Sequence, residues 1–304
     1  MEKLAAMATN VVALMRPMVR RAMVGLFAGL LAAGWGADPR PAAAQPAPQG
    51  PRLYVLDCGY LINLSPETYN LTRQDVPDPT MSVPCFLVVH PNGALIFDTG
   101  LGDKLVGRPP YLTKRGASTS QVVLKTLSSQ LAEIGYAPDK IKYLVLSHMH
   151  FDHVGNANDF AGSGTTWLVQ KVERDAMFGD NVPPQAINPD YAALKTAKTQ
   201  LLNGDHDVFG DGTVVIKSTP GHTVGHQVLF LRLPKTGPLV LSGDLYHYPG
   251  ERTLGRMPER EKTAGTPESR AKVDALVKET GAQLWIGHDI VGFAKLKKSP
   301  EYYE

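Results

Sequence analysis

The 304 residues are 43% hydrophobic and 20% charged, with 31 basic and 29 acidic side chains. That apolar content can fill a core and excludes a chain that stays unfolded for want of one. The positive balance belongs to the N-terminus: residues 1–44 hold five bases and two acids, leaving 26 bases and 27 acids over the other 260 residues, and so near-neutral a body without a Lys/Arg run argues against a nucleic-acid partner.

Arg16, Arg20 and Arg21 flank the apolar run Ala22–Ala33, and Ala42-Ala43-Ala44 follows. The order basic, apolar, small predicts a signal peptide over 1–44 and a periplasmic or secreted product. The apolar run is short for a bilayer, so no stable membrane span is expected once it is cut. An uncut anchor is the alternative, and Arg20-Arg21 also leaves twin-arginine export open. Residues 45–51, rich in Pro and Gln, read as a flexible tether, and 52–304 as one domain. The two cysteines, Cys58 and Cys85, lack CxxC spacing. Export permits a disulfide between them, and two buried thiols in neighbouring strands fit the sequence equally well.

Along the domain, Leu53–Asp57, Cys85–His90 and Ala94–Asp98 alternate or run apolar like strands, and Pro91-Asn92-Gly93 predicts a hairpin turn between the last two. Helical spacing covers Val122–Ile134. Ile141–Leu146 is a continuous apolar run, the pattern of a strand buried on both faces. Thr166–Val169, Val214–Lys217, Val228–Leu233, Leu239–Leu241 and Gln283–Ile286 read as further strands, and Pro267–Glu279 as a helix. Strands interspersed with helices predict an α/β architecture of two packed sheets with helices outside. Stretches 99–120 and 179–209 lack a pattern and are expected to be lids or binding loops.

The informative segment is His148-Met149-His150-Phe151-Asp152-His153, directly after the buried run. Three imidazoles and a carboxylate at a strand's C-terminal end supply donors that suit zinc and similar divalent ions. Polar groups beside a buried strand are costly unless a partner neutralises them.

His-x-His-x-Asp-His after a buried strand resembles the signature of the metallo-β-lactamase superfamily, whose fold is an αββα sandwich of two mixed sheets with helices on the outer faces. Asp98-Thr99-Gly100, Pro220-Gly221-His222-Thr223, Ser242-Gly243-Asp244 and Gly287-His288-Asp289 match its other motifs in order, so the resemblance spans roughly residues 52–295. It implies two divalent metal ions, most readily zinc. One would be held by His148, His150 and His222 and the other by Asp152, His153 and His288, with Asp244 between them. A water shared by the pair would act as the attacking hydroxide. Within the superfamily the chain looks most like the N-acyl-homoserine lactonases, through Leu53–Gly59, Val83–Leu87 and the segment from Gly243 to Arg252. That likeness implies hydrolysis of a lactone with an apolar acyl tail, with Asp152 or Asp244 relaying the proton. Tyr60, Leu61, Tyr111, Met177 and Phe178 are candidates for the tail pocket. A homodimer is expected by analogy alone.

Four histidines stand outside this ligand set. His90 reads as a surface residue before a turn, His206 as a solvated loop residue, and His226 as support for packing around the site. His247 lies three residues past Asp244, where these lactonases usually carry a tyrosine, while Tyr246 and Tyr248 sit one position off on either side. A neutral His247 is a candidate donor to a developing oxyanion, and a structural histidine is the plainer alternative. A histidine after the bridging aspartate also resembles methyl-parathion-hydrolase-type organophosphate triesterases. Two further alternatives are a β-lactamase, which often has cysteine where Asp244 stands, and a mononuclear-iron persulfide dioxygenase-like protein.

Overall fold

β1 (Arg52–Ile62) and β2 (Met81–His90) are long antiparallel partners, and β3 (Gly93–Phe97) turns back on β2 as a hairpin. This computed structural model describes residues 48–62, 64–109, 111–112, 120–182 and 187–304. The expected signal peptide and the first part of the tether lie outside the described residues. Among the described residues no helix is long and apolar enough to cross a membrane.

The first sheet adds β4 (Tyr111–Leu112), β5 (Ser120–Val122), β6 (Ile141–Val145), β7 (Thr166–Gln170) and β8 (Thr199–Leu202), in the order β4-β5-β1-β2-β3-β6-β7-β8. β6 runs parallel to both β3 and β7. Leu144 and Val145, on opposite faces of β6, are wholly buried; each such side chain contributes about 1.5–3 kcal/mol, which is why this run is apolar without alternation. The second sheet is β13 (Gln283–Trp285), β12 (Gly237–Leu241), β11 (Gln227–Leu233), β10 (Val214–Ser218) and β9 (His206–Asp207), in that order. Both sheets mix parallel and antiparallel pairs.

Three apolar layers hold the sandwich. Between the sheets, Val55, Val88, Leu95 and Val145 meet Ile216, Leu229, Leu231 and Leu241. On the outer face of the first sheet, α1 (Leu127–Glu133) and α2 (Lys171–Phe178) pack over Leu56, Leu87, Ile96 and Trp167. On the outer face of the second, α4 (Thr266–Thr280) packs Val273 against Val228, Phe230 and Val240. Short helices α3 (Pro249–Thr253) and α5 (Ile290–Lys295) follow the ligand-bearing turns after β12 and β13. The expected αββα sandwich is thus the observed one.

Several sequence expectations are corrected. The helix expected from Val122 begins at Leu127, because Ser120–Val122 pair with β1 and Thr126 caps the helix by accepting from the Ser129 amide. The 179–209 stretch holds β8 and β9, short edge strands of the first and second sheet respectively, whose few buried side chains leave no alternation to read. Leu61, Met177 and Phe178 are core residues, Leu61 with Met81 and Val83, the others with Trp167 and Tyr191. Tyr60 donates to Asp57 and packs edge-on to Phe293. The Tyr111 side chain lies outside the described residues. His90 is buried, stacked on Phe209 at 4.1 Å and 2.9 Å from Asp211, instead of lying at the surface. Cys58 and Cys85 are joined as a disulfide across β1 and β2.

Candidate metal centre

Four loops at the ends of the central strands converge. The turn after β6 carries His148, His150, Asp152 and His153; that before β11 carries His222; that after β12 carries Asp244; that after β13 carries His288. Glycines let these turns close. Gly243 sits at φ 48°, and a Cβ there would lie 2.8 Å from His226 Nε2 and from Ser147 Cβ. Gly155 donates to the Gly100 carbonyl at 2.7 Å, and a Cβ would fall 2.2 Å from the Leu101 backbone.

Asp244 is the midpoint. Its Oδ1 lies 3.1 Å from His153 Nε2 and 3.0 Å from His288 Nε2, whereas Oδ2 lies 3.5 Å from His148 Nε2 and 3.2 Å from His222 Nε2. Asp152 Oδ2 is 3.5 Å from His288 Nε2, and His150 Nδ1 is 2.9 Å from His222 Nε2. Ligand atoms therefore fall into two groups, His148, His150, His222 and Asp244 in one and Asp152, His153 and His288 in the other. One carboxylate faces both.

The outer nitrogens of the rings are held elsewhere, which aims the inner ones. His153 Nδ1 meets Asp98 at 2.9 Å, His222 Nδ1 meets Glu261 at 2.8 Å, His288 Nδ1 meets the Ser82 carbonyl at 2.8 Å, and His148 Nδ1 meets Ser147 Oγ at 3.0 Å. Asp98 also accepts from the Ser147 amide at 2.6 Å, with its own backbone at φ 61°. Such partners fix tautomer and orientation in metal sites. Inside the cluster, His148 Nε2, His153 Nε2 and Asp244 Oδ1 are buried without a hydrogen-bond partner. Buried polar atoms are rarely left so, and an imidazole–carboxylate donor set is what divalent cations take. The residues fit a pair of cations.

Charge follows burial and neighbours. Burial holds His148 well below the usual imidazole range, helped by the adjacent His153, and lowers His150 to about 4 with His222 contributing. Both are the neutral imidazoles that coordination needs. Burial opposes ionisation of Asp244, but His288, His153, His148 and His247 outweigh it and hold the carboxyl well below its ordinary range. His226, lowered to about 3 mainly by burial, accepts from the Asp244 amide through Nε2 at 3.0 Å, so it fixes that backbone as a neutral ring. His206 lies on β9 near Gln200, away from the cluster.

His247 is buried between two carboxylates, Nε2 3.4 Å from Asp244 and Nδ1 3.2 Å from Glu251. Burial opposes its charge, yet Glu251 and Asp244 raise it to about 10. Glu251, wholly buried, also accepts from the His247 and Tyr248 amides and from Arg270 at 2.8 Å. Sequence reasoning missed Glu251, Glu261 and Glu173. Glu173, on α2, accepts from the Met149 amide, the Thr223 hydroxyl and the Gly225 amide, so it joins the two loops that carry the first ligand group. Glu261 and Glu173 lie tens of residues from their partners, with no local pattern to mark them. Only the i,i+4 spacing of His247 and Glu251 was visible.

The sequence pattern of the metallo-beta-lactamase superfamily matches residues 78–288, and the chain belongs to that superfamily. It is 31% identical over 266 residues to the N-acyl homoserine lactonase AttM of Azorhizobium caulinodans, spanning 83% of this chain and 98% of that one. It is 27% identical over 240 residues to the N-acyl homoserine lactonase AiiA of Bacillus thuringiensis subsp. kurstaki, spanning 74% and 89%. A solved N-acyl homoserine lactone hydrolase, with the product N-hexanoyl-L-homoserine bound at its catalytic metal center, shares the fold at TM-score 0.66 and 24% identity, over 83% of this chain and 98% of that one.

Proposed function

We propose that this metal-dependent hydrolase opens the ring of N-acyl homoserine lactones, and so quenches the signals they carry, using two divalent ions, most readily zinc. The observation that carries the reading is the split of Asp244 between two ligand groups, in a chain that matches proteins named lactonase along almost their whole length. A pair of cations bound there lowers the pKa of a water and polarises the ester carbonyl.

The protein's own side chains do the rest. His148, His150 and His222 hold one side of the centre, and Asp152, His153 and His288 the other. Asp244 keeps the two sides in register, and His247 keeps Asp244 in place from outside. Asp152 or Asp244 takes the proton of the attacking water and returns it to the ring oxygen as the C–O bond breaks. Phe151 and Val224, 41% and 57% exposed beside the ligands, offer apolar surface to an acyl tail. The disulfide supports export, since such bonds persist in oxidising compartments.

The test is metal content with ring-opening rates on an acyl homoserine lactone, methyl parathion and a cephalosporin. We expect about two zinc ions per chain and preference for the lactone. His150→Ala is expected to lower lactone opening about 100-fold by removing a ligand. One iron per chain points to the dioxygenase alternative, and equal or greater efficiency on methyl parathion to the triesterase; either result overturns the proposal.

A further inference from the structure

A side chain that no motif marks stands beside the centre, on the loop after β1. Pro66–Tyr69 form a single 3-10 turn after β1, with Pro66 buried at its start; Asn70, at φ 59°, closes the turn by donating to the Glu67 and Pro66 carbonyls. The turn ends with the Tyr69 ring 4.4 Å from the His247 ring and 5.3 Å, edge-on, from Tyr248. His247 in turn lies 4.9 Å from the His222 ring and 6.1 Å from the His288 ring, one ligand of each group. Tyr69 thus covers the histidine wedged against both halves of the metal centre.

Of Tyr69, Tyr246 and Tyr248, Tyr69 is the one whose hydroxyl is left available among the described residues. Tyr246 and Tyr248, which flank His247 in sequence, are turned away: the Tyr248 hydroxyl donates to the Pro79 carbonyl at 2.8 Å, and that of Tyr246 points to Asp274 at 3.4 Å. His247 has a carboxylate at each ring nitrogen. The Tyr69 hydroxyl makes no hydrogen bond with the described residues. Burial, then the charges of Asp244, Tyr248 and Asp152, keep it protonated, so it remains a donor; both centre carboxylates are close enough to be felt there.

We propose that Tyr69 is a catalytic residue of this hydrolase, its hydroxyl donating a hydrogen bond to the scissile carbonyl oxygen as that oxygen becomes an oxyanion. The inference rests on the lactone reading above. A donor aimed at charge that develops only in the transition state raises kcat and leaves KM nearly unchanged. The bond is remade with solvent on product release, and Tyr69 keeps its proton throughout.

Tyr69→Phe keeps the ring on His247 and removes only the hydroxyl. We expect kcat to fall about 100-fold, the loss typical of one oxyanion donor, with KM changed less than about two-fold. Calorimetry should show a phosphonate analogue of the tetrahedral intermediate bound about 100-fold more weakly, while metal content and thermal midpoint match wild type. Tyr246→Phe, the control, should leave all of these unchanged. A wild-type enzyme that opens lactones while Tyr69→Phe keeps its kcat overturns the role of Tyr69 alone. So does a Tyr69→Phe variant that loses metal or thermal stability in step with activity. A wild-type protein that opens no lactone overturns the functional reading and this inference with it.

Discussion

Asp244 and His247 make a buried ionic chain with Glu251 and Arg270, in which each charge depends on the next. Removing one member strands the others in low dielectric, and breaking such a pair costs about 3 kcal/mol or more. In chelator-treated protein, Glu251→Gln should therefore lower stability by roughly that amount, with a pH signature. Burial raises the Glu251 carboxyl, but His247 and Arg270 outweigh it and hold the folded value below the ordinary 4.5. Its contribution is present above 4.5 and is lost as pH falls through the lowered value. His247 is raised from 6.5 to about 10, so its contribution is complete below 6.5 and is lost as pH rises through about 10. The gap between wild type and variant should be widest between pH 4.5 and 6.5 and narrow toward pH 10. It does not close there, because Arg270 still donates to Glu251 at 2.8 Å. Denaturant melts across that range check it; a gap constant from 6.5 to 10 contradicts the assignment.

The elements explain why the ligands hold still. β6 delivers four ligand side chains from one buried strand end, and α2 places Glu173 where it grips that loop and the His222 loop together. Burial raises the Glu173 carboxyl against those three donors. It binds no ligand atom, so it acts by position. Glu173→Ala should weaken metal binding about 10- to 100-fold, as loss of such outer partners does, while Glu173→Gln, able to keep part of the network, should recover some affinity. Competition with a chromogenic chelator measures both. Equal affinity in Glu173→Ala and wild type would show that the loops keep their arrangement unaided.

For the molecule as a whole, the first two strands are clamped twice, by their ladder and by Cys58–Cys85, 27 residues apart in sequence. Closing that loop in the unfolded chain is worth roughly 3–4 kcal/mol. Protein made in a reducing cytoplasm, or Cys58→Ser, should be less stable by about that amount, whereas exported protein should carry the bond and begin at Gln45. Mass spectrometry without reductant, N-terminal sequencing and urea melts decide both points. Exported protein that retains Ala44, or that lacks the bond, would defeat the export reading.

The ligand positions in the sequence are legible because coordination chemistry is local: four donors crowd into six residues after β6, and three short glycine-containing turns carry the others. The strand pattern was equally plain wherever strands are buried, since burial demands apolar side chains at a fixed period. What the fold alone decided depends on distant partners: that Asp244 divides its oxygens between two groups, that Glu173 ties two loops, that His247 is wedged between carboxylates, and that Tyr69 covers it. Edge strands β8 and β9 and the buried His90 belong with these, because a half-covered strand or a ring stacked on Phe209 leaves no mark on its own neighbours. Period and spacing act along the chain. Hydrogen bonds, burial and charge act through space, and only the closed sandwich sets those distances.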